Sequence, residues 1–162
     1  MLEWSIYRIV RPESHRGIRI IDFLAESHEV FVRQTREALD MIATIDSRRF
    51  DRVREHVKTI LNLPSVRYAS YQRPLRVCSI NLSSLNFEVE PDFASKFYAC
   101  IIVHEATHGY LFSKYLPQTR HTVDQIERIC THEAVRFALR FKDTNFDWPA
   151  FLWSWTVTDG NQ

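Results

Sequence analysis

The sequence predicts an α+β fold that is mainly helical and carries a small β-sheet or hairpin, and three observations support this. Apolar residues recur at steps of three and four over most of the chain, which is typical of amphipathic helices. Between Pro64 and Pro91 the pattern changes to the alternation expected of strands. No internal repeat or glycine-rich linker interrupts the 162 residues. We therefore expect a single domain over residues 1–162.

The first half of the chain is expected to hold one strand and two helices. A weak alternation predicts an opening strand over residues 4–10. Apolar residues at helical spacing then predict a long helix from Ile20 to Ile45. Asp46 or Ser47 offers an N-cap for a second helix, whose apolar positions extend over residues 50–60. The outer face of this helix mixes acids with its basic residues, so we interpret it as solvated surface.

The second half is expected to hold a hairpin and two more helices. Residues 66–71 and 75–82 form two extended runs around a turn with a proline, and the second run alternates cleanly. A helix is predicted from Phe93 to about Tyr115. Another helix is predicted from Val123 to about Lys142, with Thr122 as the candidate N-cap. The hairpin would then lie next to the first of these two helices in the chain.

Composition and charge exclude several kinds of partner. Twenty-one Lys and Arg balance twenty Asp and Glu, so the formal charge of +1 predicts neither nucleic-acid nor membrane binding. With three glycines there is no glycine-rich phosphate loop. Cys78, Cys100 and Cys130 stand in apolar stretches and are interpreted as small core residues rather than disulfides or metal ligands. With no signal sequence and no apolar run of about 18 residues, we expect a cytoplasmic protein.

Two histidines on the third predicted helix have the spacing of metal ligands. The chain reads His104-Glu105-Ala106-Thr107-His108, and residues four apart lie on one helical face about one turn apart. Both imidazoles can therefore reach a single ion at about 2.0 to 2.1 Å. Glu105 is rotated by about 100° around the helix axis, which places it beside the ion. A general base that accepts a proton from water is needed at that place.

The surroundings of the motif strengthen the metal hypothesis. The residues before His104 are mostly apolar. Burying two histidines and an acid at the end of such a helix costs free energy unless a metal or another partner compensates. A hydrolytic zinc site takes three protein ligands and keeps one position open. The sequence therefore predicts Zn²⁺ held by His104, His108 and a third ligand from another part of the chain.

The third ligand is expected from the fourth predicted helix. Glu127 lies about 40° to 60° from the centre of the apolar stripe of this helix, whereas Asp124 lies about 100° or more away. Glu133 lies on the other flank, near arginines with which a surface ion pair explains it equally well. We favour Glu127 and keep Glu133, Asp124 and His121 as alternatives.

The motif and the glutamate on the next helix together resemble the zincin metallopeptidases, in particular the gluzincin branch, where a glutamate is the third ligand. Eighteen residues separate His108 from Glu127. The gluzincin ligand helix often reads E-x-x-A/S-D, and this chain keeps a small residue but has Thr131 in place of the aspartate. The metzincin extension, with a glycine and a third histidine after the motif, is absent. The resemblance covers about residues 75–142.

The resemblance implies a zinc-dependent peptidase that acts on a peptide or protein substrate. Zn²⁺ would be held by His104, His108 and Glu127, and Glu105 would be the general base. An edge strand that holds an extended peptide is also implied, and residues 76–82 match it, although an ordinary core strand explains them equally well. A side chain that stabilises the oxyanion is implied too, with four candidates: Tyr110, Tyr115, His121 and Arg128.

Two other functions stay open from the sequence. In the first, the chain is a zinc-binding regulatory or interaction protein with a non-catalytic site, recognised by a closed coordination sphere without peptide turnover. In the second, a metal-free interaction domain works through the tail over residues 146–157, which we expect to fold back on the core. The candidate contact residues are four of the five aromatic residues in this tail: Trp148, Phe151, Trp153 and Trp155. Neither the substrate nor the oligomeric state follows from the sequence.

Overall fold

The computed structural model describes residues 12–23, 28–82, 91–115, 122–142 and 146–157. In these ranges the strands are β1 (Glu13–His15), β2 (Ile18–Asp22), β3 (Thr59–Asn62), β4 (Ala69–Gln72) and β5 (Val77–Ile80). The helices are α1 (His28–Ile45), α2 (Ser47–His56), α3 (Pro91–Tyr115), α4 (Val123–Ala138) and α5 (Trp148–Val157). The predicted α+β, mainly helical fold class is confirmed. The predicted opening strand over residues 4–10 lies outside the described residues.

The five strands form one sheet in the order β1-β2-β3-β5-β4. The three inner strands run parallel, and each edge strand is antiparallel to its neighbour. Ile20, Ile60 and Cys78 are paired across the inner strands and are fully buried, so they form part of the core. The hairpin predicted from residues 66–71 and 75–82 is confirmed as β4 and β5. Its first strand, β4, forms an edge of the sheet.

The prediction that the first helix begins at Ile20 is wrong. Ile18–Asp22 form β2, and α1 begins only at His28. Burial alternates along β2 because a strand presents every second side chain to the core. Gly17 lies in the turn between β1 and β2 with φ of 83°, a conformation that suits glycine, and therefore does not precede a helix. Residues four apart lie on the same side of a strand as well as of a helix. The spacing of apolar residues from Ile20 onward therefore does not distinguish the two structures.

The second predicted helix ends earlier than expected. α2 spans Ser47–His56, and Asp46 is its N-cap, with a carboxylate oxygen that accepts from the Arg49 amide at 3.1 Å. Val57 is already extended, and residues 59–62 form β3 instead of a further helical turn. β-branched residues are frequent in this segment and favour a strand, and pairing with β2 and β5 satisfies its backbone. The expectation of a helix up to residue 60 is therefore wrong beyond His56.

α3 is the central element of the fold, and its predicted position is confirmed. It packs against α1, α2, α4 and both hairpin strands. Every residue over 97–109 is buried, so the histidine motif lies in the interior and not on a surface helix. Among the helices of the described ranges, none is long and apolar enough to cross a membrane.

The last two helices lie together on one side of α3. α4 begins after Thr122, whose hydroxyl accepts from the Gln125 amide in a complete capping box, as predicted. It ends at Ala138, short of the predicted Lys142. α5 packs against α4 with Trp148 and Leu152 buried, which confirms that the tail folds back on the core. Together α3 and α4 bring the motif and the predicted third ligand to one place.

Candidate metal centre

The inward face of α3 presents the two histidines of the motif side by side. The Nε2 atoms of His104 and His108 are 3.2 Å apart, as expected for residues separated by about one helical turn. Both side chains are almost wholly buried. The predicted pairing of these two imidazoles on one face is therefore present in the structure.

α4 brings Glu127 to the same point. Its Oε2 atom lies 3.2 Å from His104 Nε2, and its Oε1 atom lies 3.3 Å from His108 Nε2. The Glu127 side chain is 42% exposed, so it approaches the histidines from the solvent side. The helical phase of α4 had singled out this acid, and the structure places it against both histidines.

The spacing of these three groups fits a tetrahedral metal ion. Two ligand atoms at about 2.0 to 2.1 Å from a tetrahedral zinc ion are about 3.3 to 3.4 Å apart. The observed separations among the two Nε2 atoms and the Glu127 oxygens are 3.2, 3.2 and 3.3 Å. The two distances to Glu127 end on different oxygens, so each imidazole faces one oxygen of the carboxylate, and the three side chains form a triangle around a common point.

The charges around the triangle favour a cation. Burial alone would lower the pKa of His108, but contacts with Cys130 and Glu127 and the charge of Glu105 outweigh it and raise this pKa well above its ordinary value. Burial would likewise raise the pKa of Glu127, but the contacts with His104 and His108 hold it far below its usual range. Both shifts have the same cause, because the acids and imidazoles that meet at this point favour the presence of a positive charge.

Cys130 forms a further group with the same two histidines, one that does not include Glu127 in the described part of the chain. Its sulfur and one ring nitrogen each of His104 and His108 lie within 4.8 Å of one another, so this buried group can hold a metal ion. Burial raises the pKa of the Cys130 thiol, and the contact with His108 opposes this effect. The thiol is fully buried, which agrees with the interpretation of Cys130 as a core residue. That interpretation missed its place beside the histidines, although Cys130 follows Glu127 by three residues and so shares a face of α4 with it.

Glu105 lies beside the triangle. Its side chain is only 4% exposed, yet it lines the same cleft as His104 and His108. Its charge raises the pKa of His108 and also that of the neighbouring Cys78 thiol, in addition to the larger effect of burial on that thiol. The position matches the place that helical rotation predicts for a general base.

His104, Glu105, His108 and Glu127 line a cleft of about 630 Å³. Its walls come from residues 67–71 at the hairpin and from α3, α4 and α5. Aromatic rings continue along α3 and the hairpin: Phe112 stacks near His108 with ring centres 6.2 Å apart, and Tyr71 stacks near Phe112 at 6.5 Å. A ligand in this cleft would touch both the histidine motif and a flat apolar wall.

Of the alternative third ligands, Glu133 is engaged with arginines of α2. One oxygen of Glu133 lies 3.2 Å from Arg49 and 3.0 Å from Arg52, so this acid ties α4 to α2 by an ion pair. Asp124 lines the cleft but, in the described part of the chain, does not join the histidine and cysteine group. His121 lies outside the described residues.

The expected substrate strand requires a correction. Residues 76–82 were matched to an edge strand, but β5 is paired with β3 on one side and with β4 on the other. The strand at the edge is β4, and three of its four residues, Ala69, Ser70 and Tyr71, line the cleft. The alternation of residues 76–82 predicts a strand but contains no information on which neighbours that strand has.

The structure distinguishes among the four candidates for the side chain that stabilises the oxyanion. Arg128 lines the cleft. Tyr110 lies between helices instead, because its ring packs edge-on against His56 and lies under the Arg52 guanidinium at 4.7 Å. The side chains of Tyr115 and His121 lie outside the described residues. Arg128 is therefore the described candidate that reaches the cleft.

Gly109 directly follows the second histidine and marks the closest approach of α3 to α2 and β4. A Cβ atom at this position would lie 2.8 Å from His56 Cβ and 2.7 Å from the Tyr71 hydroxyl oxygen. That hydroxyl donates to the His56 carbonyl at 2.8 Å, so it is held in place. The missing side chain at Gly109 therefore sets the distance between the motif helix and the edge strand that lines the cleft.

We expect Gly109→Ala to destabilise the protein by about 1 to 2 kcal/mol, because overpacking a core costs up to about 3 kcal/mol. The greater helix propensity of alanine, worth about 1 kcal/mol, offsets only part of this cost. Denaturant-induced unfolding measures the change, and Ser113→Ala at an exposed position of α3 serves as the control. A Gly109→Ala variant as stable as the parent would show that His56 and Tyr71 move apart without cost.

Comparisons of the chain with models of protein families, with curated proteins and with solved structures find no match in any of the three. The assignment of function therefore depends on the geometry of the site itself.

Proposed function

We propose that the protein is a zinc-dependent metallopeptidase that hydrolyses peptide bonds in a peptide or protein substrate. The observation that carries the proposal is the triangle formed by His104, His108 and Glu127, with Glu105 beside it on the wall of an open cleft. The donors support zinc as the metal, because two imidazoles and a carboxylate are a ligand set that zinc takes in hydrolytic sites.

The zinc ion and Glu105 would have different roles in peptide hydrolysis. When bound by the three side chains, a zinc ion supplies Lewis acidity that lowers the pKa of water and polarises a peptide carbonyl. Glu105 would accept a proton from the attacking water at its carboxylate and donate it to the amine that leaves. Its near-complete burial keeps the carboxylate out of bulk solvent, which strengthens its interactions with a charged neighbour. Arg128 on the cleft wall would stabilise the oxyanion of the tetrahedral intermediate.

The edge strand β4 provides a means of holding the substrate. It pairs with β5 on one side, and in the described part of the sheet its other side has no neighbouring strand. An extended peptide can add to such an edge through backbone hydrogen bonds, and residues of β4 line the cleft that contains the motif. A peptide bound there would lie between the hairpin and α4, within reach of the cluster.

A zinc-binding regulatory or interaction protein is the second candidate, and Cys130 favours it. A thiol within the cluster can supply a fourth protein ligand, and four protein ligands are typical of structural zinc sites. We propose a cytoplasmic location for either function, because Cys78, Cys100 and Cys130 are free, buried thiols of the kind found in a reducing compartment.

We expect protein purified without added metal to contain stoichiometric zinc and to hydrolyse an unstructured protein substrate. His104→Ala should lose both the metal and the activity, because one corner of the triangle is gone. The matched control is His132→Ala, which removes an exposed histidine of α4 that packs on Trp153. Elemental analysis and a peptide-release assay make the two measurements. Zinc without turnover would favour the regulatory candidate, and neither zinc nor turnover would contradict both.

A further inference from the structure

The fully buried thiol of Cys130 lies at the metal cluster without lining the cleft. Its sulfur lies within 4.8 Å of one ring nitrogen each of His104 and His108. It is 0% exposed, and the residues around the cleft do not include it. Glu127, in contrast, is partly exposed and faces the cleft. The cluster is therefore approached by a carboxylate from the solvent side and by a thiol from the interior.

We propose that Cys130 is a fourth protein ligand of the ion and binds it as a thiolate from the buried side of the site. Cysteine sulfur is one of the three donor types that zinc takes, with nitrogen and carboxylate oxygen. The thiol stays protonated in a metal-free interior, and coordination to a divalent cation deprotonates it.

A fourth protein ligand would change the coordination of the ion in the enzyme without substrate. Zinc with four protein ligands has a closed coordination sphere, whereas a hydrolytic site keeps a position for water. If the proposed peptidase activity holds, on which this consequence depends, the ion must expand to five ligands or release the thiolate before water can bind. Cys130 would then keep the resting enzyme slow, and its removal would raise the turnover number.

Cobalt(II) substitution tests the ligation without reference to activity. The cobalt-loaded full-length protein is expected to show thiolate-to-cobalt charge-transfer absorption in the near ultraviolet. Cys130→Ala and Cys130→Ser should each lose this absorption, and the serine variant, which is closer in size, guards against a failure to fold. Cys100→Ala is the matched control, because Cys100 is also a fully buried cysteine but stands outside the cluster.

The outcomes separate this inference from the proposed function. Absorption in the parent and in Cys100→Ala, with its loss in both Cys130 variants, supports thiolate ligation. A cobalt-loaded parent without the absorption, or absorption that persists in the Cys130 variants, overturns it. Peptide turnover by a zinc protein that shows no thiolate absorption in its cobalt form would overturn the ligation and leave the peptidase standing. Absorption without turnover, even after removal of the thiol, would uphold the ligation and contradict the peptidase. A parent that binds no metal overturns both.

Discussion

Glu105→Gln is expected to lower the kcat for peptide hydrolysis by about 10²- to 10⁴-fold, the range that general acid–base catalysis contributes. Glutamine keeps the size of the side chain but has no carboxylate to accept a proton from water. The metal should stay bound, because Glu105 lies beside the triangle of His104, His108 and Glu127 and not at one of its corners. Elemental analysis and steady-state kinetics on the same preparation measure the two properties.

The control for this variant is a second carboxylate of the same cleft. Asp124 lines the cleft at the start of α4 without joining the histidine and cysteine group. Asp124→Asn should therefore change the local charge while retaining most of the turnover. Full activity in Glu105→Gln would remove the general base from the mechanism, and loss of zinc in that variant would show that Glu105 is itself a ligand.

Trp148→Ala is expected to have the largest effect on stability, a loss of about 3 to 5 kcal/mol. The Trp148 side chain is 2% exposed, and its ring is stacked on Phe93 at 5.1 Å between centres. It also meets Phe141 and Phe146 edge-on at 5.2 and 4.8 Å. Truncation would leave a large cavity where α5 joins α3 and α4. Chemical denaturation followed by far-ultraviolet circular dichroism measures the loss.

A second tryptophan of α5 provides the comparison. Trp153 is partly exposed, lies on the cleft wall and packs on His132 at 5.0 Å, so Trp153→Ala should cost far less stability. Equal effects of the two substitutions would contradict the view that Trp148 anchors the tail. The burial of Trp148 and Leu152 also bears on the metal-free interaction hypothesis, because side chains used in the core are not available to a partner.

The meeting of His104, His108 and Glu127 could be predicted from the sequence as far as it depends on the geometry of single helices. The spacing of His104 and His108 places them on one face of any helix, and the phase of α4 selects Glu127 over Asp124. Both arguments use only the rotation per residue within one helix. The structure adds that the two faces meet, which depends on the packing of α3 against α4.

The sheet could be predicted only in part. The hairpin of β4 and β5 is local, so alternation and a turn are enough to find it. β2 and β3 pair in parallel with each other across α1 and α2, and no local pattern reports a partner so distant in the chain. Their short apolar runs were therefore assigned to the neighbouring helices. The same lack of long-range information explains why residues 76–82 were matched to the edge that β4 forms.

The residue type of Cys130 predicts its burial but not its position beside the histidines. A buried cysteine in an apolar helix is most often a small core residue, and by burial Cys130 is one. Its position three residues after Glu127 was visible in the sequence. The spacing indicates a candidate metal ligand only once the histidines of α3 are known to lie next to Cys130.

The triangle of ligands has a consequence for folding as well as for chemistry. His104 and His108 come from α3, and Glu127 comes from α4, so an ion bound by all three would act as a cross-link between the two helices. The unfolded chain has no such triangle, and the free energy of binding adds to that of folding by mass action. The cellular supply of the metal would thereby govern how long the folded protein persists, in addition to whether it is active.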